Sequence, residues 1–200
     1  MTSVEQVLEA VEHAVQSGRL DGTAAGNLRQ WLREPIYASQ QGEITRLVER
    51  GDFVALQDAF GGVIPFGTGG RRGAVGPGPN RINVRTIAES AQGLSRYVLM
   101  ATGGPTGRAG ESAAGKAGTS PSGAGKAGVS PSGAGTSTGA GHPPRIVIAY
   151  DTRKNSLEFA EVAAAVIAAN GIEAVLFEGP RSTPELSFAV RHLEASAGIV

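Results

Sequence analysis

The stretch FGTGGRRG at residues 66–73 crowds glycines around two arginines, directly after the apolar run Val63-Ile64-Pro65-Phe66. Glycine frees the backbone to turn successive N–H groups toward one point and lets a ligand approach closely. An anion held there would also meet the Thr68 hydroxyl and the guanidinium of Arg72 or Arg71. The planar guanidinium matches two phosphate oxygens at once. Neither familiar phosphate loop is present. No Gly-Lys-Ser/Thr follows at the P-loop spacing, and in Gly67-x-Gly69-x-x-Arg72 the last glycine of a dinucleotide fingerprint is missing. On composition alone, a plain solvated turn and an anion cradle fit equally well.

A second cluster, Asp151, Arg153 and Ser156, follows the apolar run of RIVIAYDTR at 145–153. Two readings apply: a capping and salt-bridge cluster at a strand–helix junction, or support beside a ligand. His13, His142 and His192 are scattered without metal-ligand spacing, and no aspartate cluster suggests a metal site. Ser182 and Thr183 stand where a helix begins, and capping accounts for Thr183.

The elements that must position these residues divide at the glycine loop. Before it the pattern is helical. Val4, Val7, Leu8, Val11 and Val15 form one stripe, with a capping box at Ser3 and Gln6 and a stop at Gly18. Further helices are predicted over about 23–33, 43–49 and 52–60, with Pro35 limiting the first. Val63–Phe66 is a strand candidate, 75–83 a Pro/Gly loop, and 86–101 a helix. From 145 onward the chain reads β-α-β-α-β. Strands are predicted at 146–150, 174–177 and 197–200, with helices starting at Asn155-Ser156, aided by Glu158, and at Thr183-Pro184. Short loops and this alternation imply a parallel sheet with right-handed crossovers, whose ligands bind at the carboxyl ends of the strands.

Residues 102–142 contain 13 glycines in 41 positions and one large aliphatic side chain, Val129, too little to offset ordering entropy by burial. Within them AGKAGTSPSG at 114–123 repeats as AGKAGVSPSG at 124–133. The segment is read as a disordered insertion. The organisation is thus a helical N-terminal extension over 1–60 and a Rossmann-like three-layer α/β/α domain with a mostly parallel sheet over 61–200, interrupted by that insertion.

Lys+Arg and Asp+Glu both number 18, so no global field attracts nucleic acid or an anionic membrane, and any anion affinity must be local. Cysteine is absent, which excludes disulfides and thiol chemistry and suits a reducing cytoplasm. Glu5, Glu9 and Glu12 interrupt the first apolar residues, unlike the h-region of a signal peptide.

Three motifs in order, FGTGGRRG, RIVIAYDTR-x-x-S-x-x-FA and TPELSFAVRHLEASAGIV, resemble the α-D-phosphohexomutase superfamily of phosphoglucomutases and phosphomannomutases. The resemblance covers about 61–101 and 143–200 and matches domain I of a protein that normally has four. It implies an intramolecular phosphoryl transfer on a sugar phosphate. A phosphoserine gives its phosphate, a bisphosphorylated intermediate reorients, and the other phosphate returns to the serine, with Mg²⁺ stabilising the transferring group. Residue by residue, Arg72 matches the family's cleft arginine and Arg71 a variable position, while Gly67, Thr68, Gly69 and Gly70 shape the loop. The family's T-A-S-H-N-P-like serine loop, expected directly after AGIV, is not within these 200 residues, nor are the metal and sugar loops. The expectation is an N-terminal part of a cytoplasmic phosphosugar mutase, truncated before the phosphoserine loop and inactive alone, whose Mg²⁺ ligands lie elsewhere. A non-catalytic phosphosugar-binding module and an unrelated Rossmann-like domain are the alternatives. Which sugar phosphate is used, and the oligomeric state, stay open.

Deleting 102–142 is expected to leave the cooperative thermal transition in place. A chain that loses this transition in circular dichroism would refute the insertion reading.

Overall fold

The computed structural model describes residues 3–67, 69–103 and 143–200, so Thr68, His142 and nearly all of the expected insertion lie outside the described residues. The chain packs as two compact units that divide between Ala91 and Gln92. This division falls well beyond the 60/61 boundary expected from pattern. The glycine-rich loops cluster with the N-terminal helices because the 74–83 segment hydrogen-bonds to the end of the fourth helix.

In the first unit, α1 (Val4–Gln16) opens with the expected capping box. Ser3 Oγ accepts from the Gln6 backbone at 3.2 Å, and Gln6 Oε1 accepts from the Ser3 backbone at 2.9 Å. Asp21 caps α2 (Gly22–Arg33) through Ala24 N at 2.7 Å and also accepts from Gln57 Nε2 at 2.7 Å. Pro35–Tyr37 form one 3-10 turn that leads directly into α3 (Ala38–Glu49). That helix starts five residues before the predicted one, because Ser39, Gln40 and Gln41 carry no apolar signal in its first turn. Asp52 caps α4 (Phe53–Phe60). The core between these helices holds Val11, Leu28, Ile44, Leu56 and Phe60, all fully buried. Trp31 stacks on Tyr37 with centroids 4.3 Å apart and meets Phe60 edge-on at 5.5 Å. Beyond α4, β1 (Phe66–Gly67) pairs antiparallel with β2 (Gly70–Arg71). The expected strand at 63–66 is therefore displaced. Ile64 is buried, donates its N–H to Pro79 O at 2.9 Å, and anchors the approach to the hairpin instead. A long helix, α5 (Val84–Thr102), follows.

The second unit contains the predicted alternation. β3 (Arg145–Ile148), α6 (Ser156–Ala169), β4 (Glu173–Leu176), α7 (Thr183–His192) and β5 (Ala197–Ile199) give a fully parallel sheet of order β4-β3-β5. In register, Val147 stands between Val175 and Gly198. Ile146, Val147 and Ile148 have no exposed surface, as the continuous apolar run required. α6 packs on β4 and β3, and α7 on β3 and β5. The last contact is close: a Cβ on Gly198 would come within 2.7 Å of Val190 Cγ2. The C-terminal part of α5 joins this unit through reciprocal amide bonds between Gln92 and Asn170 at 3.0 and 2.9 Å.

Two helix starts differ from expectation. Ser182, not Thr183, caps α7, forming a capping box with Glu185 that leaves Thr183 as the first helical residue and Pro184 as the second. Asn155 precedes α6 in the left-handed region (φ 66°) with no side-chain cap; Ser156 Oγ accepts from Asp151 N, and Glu158 stands in the first turn without forming a capping box. No helix among the described residues is long and apolar enough to cross a membrane.

Phe60→Ala should cost about 3–5 kcal/mol, the usual loss for a buried ring. Urea unfolding followed by Trp31 emission measures this, and a loss below about 1 kcal/mol would contradict the packing described.

Candidate functional site

The glycine hairpin is minimal. Phe66 opposes Arg71 and Gly67 opposes Gly70, so the turn is two residues long, with Gly70 at φ 129° where only glycine is unstrained. Arg71 is the last residue of β2, and Arg72 follows it outside the ladder. Arg71 is half-buried; its Nη1 donates to Thr86 O at 3.1 Å, and its Nε is buried without a partner among the described residues. Arg72 is exposed and makes no hydrogen bond or ion pair with the described residues. One arginine is thus committed to holding the hairpin, and the other is presented to solvent. Gly67, Gly69 and Gly70 shape the tip, and Thr68 lies outside the described residues.

Behind the hairpin, residues 74–83 form a compact loop. Asn80 N donates to Ala59 O at 3.1 Å, Asn80 Nδ2 to Asp58 O at 2.8 Å, and Arg81 forms an ion pair with Asp58. Gly78 (φ 114°) lies so close to α4 that a Cβ would stand 2.5 Å from Ala59 O. Asn83 closes the loop and starts α5. Sequence reasoning singled out neither Asn83 nor Thr86. Their spacing, an Asn three residues ahead of a Thr at a helix start, is a capping signal that would also have moved the predicted start of α5 from 86 to 84.

In the second unit, Asp151, Arg153 and Ser156 do come together, in the turn after β3. Asp151 Oδ1 accepts from Arg153 N at 3.0 Å, its other oxygen pairs with the Arg153 guanidinium, and Asp151 N donates to Ser156 Oγ at 3.2 Å. The Arg153 backbone N–H above all, then the Ser156 hydroxyl and the Arg153 side chain, hold the Asp151 carboxyl below the usual carboxylate range. Tyr150 ties this turn to the one after β4: its O–H donates to Glu178 O at 3.2 Å and its carbonyl accepts from Arg181 N at 2.9 Å. The cluster forms a salt bridge and turn bonds but does not cap α6, and it belongs to a different compact unit from the hairpin.

Among the described residues no three His, Asp or Glu side chains gather to hold a metal ion. A Mg²⁺ ion, which the family resemblance implies, finds no ligand set there. A groove of about 710 Å³ beside α7 is lined mainly by apolar groups such as Val175, Phe177, Pro184 and Phe188, together with Arg181 and Glu185. Its chemistry suits nonpolar cover rather than a phosphate.

Residues 120–200 match the family described as phosphoglucomutase/phosphomannomutase, alpha/beta/alpha domain I. A phosphoglucomutase of Staphylococcus saprophyticus is 34% identical over 141 residues, covering 70% of this chain and 18% of the relative. Phosphoglucomutases of Staphylococcus aureus strains RF122 and USA300 are each 32% identical over 157 residues, covering 78% of this chain and 21% of the relative. The chain therefore spans about one fifth of the length of these relatives. A matched stretch of 157 residues fits neither before nor after the hairpin in a 200-residue chain, so the similarity includes it. No solved structure matches.

The Asp151 cluster has a pH signature. A carboxylate whose pKa is depressed by folding adds stability that is fully present above its unfolded pKa, near 3.9, and lost as pH falls through the folded value. Asp151→Asn should therefore lower Tm at pH 7, and the gap from wild type should shrink as pH drops below about 4. Thermal melts from pH 7 to pH 3 measure the gap; one that stays constant would refute this.

Proposed function

Because residues 120–200 belong to the phosphoglucomutase/phosphomannomutase domain I family, we propose that this chain is the N-terminal part of a phosphosugar mutase. The proposed reaction moves phosphate between C1 and C6 of a hexose phosphate, or C5 of a pentose phosphate, by way of a phosphoserine, in cytoplasmic carbohydrate metabolism. The observation that carries this is an exposed arginine, Arg72, beside a glycine hairpin inside the stretch similar to phosphoglucomutases.

The chemistry follows from charge. A transferring phosphoryl group spreads negative charge over its oxygens, and little covalent work falls to the protein beyond positioning and charge stabilisation. Arg72 offers two donors in a fixed plane, and its exposure leaves them free to meet oxygen atoms of a phosphate. The turn glycines let that phosphate approach backbone N–H groups without steric conflict. Arg71, tied to Thr86 O, supports this from behind.

For the second unit the reading is a Rossmann-like three-layer α/β/α domain. The order β4-β3-β5 supports it: the first crossover moves to one side of β3 and the second returns past it, so right-handed connections place α6 and α7 on opposite faces. Such an order creates a switch point at the carboxyl ends of β3 and β5, the usual place for a ligand in open parallel sheets. Asp151, Arg153 and Ser156 shape the turn beside it. The substrate would be a phosphosugar; magnesium, which supplies charge neutralisation in the family, would draw its ligands from outside the described residues.

The test is mutase turnover with glucose 1-phosphate, mannose 1-phosphate and ribose 1-phosphate. It compares the 200-residue chain with the polypeptide continued through its reading frame past Val200. The short chain should show no turnover. In the longer one, Arg72→Ala should lower kcat/KM by about 10²-fold or more, as loss of a charge-stabilising donor does elsewhere. Unchanged kcat/KM in that variant would overturn the assignment of Arg72.

A further inference from the structure

Asn83 is 5% exposed, and its side chain is spent wholly on backbone groups. Nδ2 donates to Gly78 O at 2.9 Å and Gly76 O at 3.0 Å, while Oδ1 accepts from Thr86 N at 3.0 Å. In return, Asn83 N donates to Thr86 Oγ1 at 3.0 Å, and the Thr86 hydroxyl donates to Arg81 O at 2.9 Å. Thr86 is 2% exposed, so both partners of this lock are shielded from water. The carbonyl of the same Thr86 is the acceptor for Arg71 Nη1.

A strand pair of two residues each, as in β1 and β2, holds too little ladder to fix its own orientation. It needs an outside tether, and Arg71 to Thr86 is one. That tether is only as firm as Thr86, whose position Asn83 sets from both its amide and its hydroxyl side.

We propose that Asn83 is a positioning residue for the Gly-Arg hairpin: through Thr86 and Arg71 it fixes the direction in which Arg72 meets a phosphate. The proposal rests on the phosphate-binding reading of the hairpin. Asn83 makes no contact with the hairpin tip; it acts through the chain Asn83–Thr86–Arg71, and Arg72 follows Arg71 in sequence.

The probe is inorganic phosphate, titrated into the 200-residue chain while the amide signals of Gly69, Gly70, Arg72 and Gly73 are followed by NMR. Wild type should show saturable shifts, and Arg72→Ala should lose them. Asn83→Asp keeps the acceptor for Thr86 N but not the donors to Gly76 and Gly78, and should weaken phosphate binding about tenfold while the chain stays folded. Asn80→Ala is the matched control. It cuts the bond from the same loop to Asp58, and its side chain makes no bond to Thr86, so it should lower stability and leave phosphate affinity unchanged. Thr86→Ser should retain wild-type affinity and Thr86→Val should lose it, which carries the test if Asn83→Asp does not fold. No shifts in wild type would sink the phosphate reading and this proposal together. Loss in Arg72→Ala, with Asn83→Asp and Thr86→Val both within twofold of wild type, would sink this proposal alone. So would an Asn80→Ala defect as large as that of Asn83→Asp, because loop stability would then explain both.

Discussion

The bond from Arg71 Nη1 to the Thr86 carbonyl is the contact on which presentation of the glycine hairpin depends. Glycines give the tip its freedom, and freedom is a cost until something outside the tip limits it. Arg71 supplies that limit from within the motif, while Ile64, buried and bonded to Pro79, limits the entering chain. Burying part of a guanidinium is expensive when a nitrogen lacks a partner, as the Arg71 Nε does among the described residues. The carbonyl that receives Nη1 must therefore be well placed, and the buried Asn83 amide behind it holds Thr86 there.

In the second unit the governing constraint is different. Its sheet is secured by non-directional burial: three consecutive residues of β3 without exposed surface, and α7 set against Gly198 where a side chain would collide with Val190. Polar bonds there act at the margins. The Arg153–Asp151 pair has the arginine side chain 85% exposed, so screening and side-chain entropy leave it little net value. The Asp151–Ser156 and Tyr150–Glu178 contacts instead give the carboxyl-end turns a defined form.

Local signals were legible wherever a short stretch carries both cause and effect. The Ser3–Gln6 capping box, the helical stripe of Val7 and Val11, and the apolar run of β3 were all readable because partners sit three or four residues apart or share one strand. From its sequence the hairpin reads as a loop following a strand, since nothing local distinguishes a two-residue ladder from a turn. Ser182 lost out to Thr183 because both are good caps and only the fold chooses which residue is extended. Asn83 was missed for the opposite reason. Its importance lies in acceptors five and seven residues back, Gly78 and Gly76, which a periodic pattern does not encode. The Arg72 motif could be recognised, but what holds it could not.

Gly78 bears on how such a chain is able to vary. A methyl group there would meet the Ala59 carbonyl, and the loop would leave α4, taking with it an acceptor that Asn83 needs. The frame is therefore intolerant of substitution at a position outside the hairpin. The tip is under no such packing restriction, because a Cβ at Gly69 or Gly70 would meet nothing within 4 Å and Arg72 is exposed. Exposed side chains at the tip can then change while the scaffold behind them is inherited intact. Drift in the glycine loop behind it would be purged even in copies whose chemistry has changed.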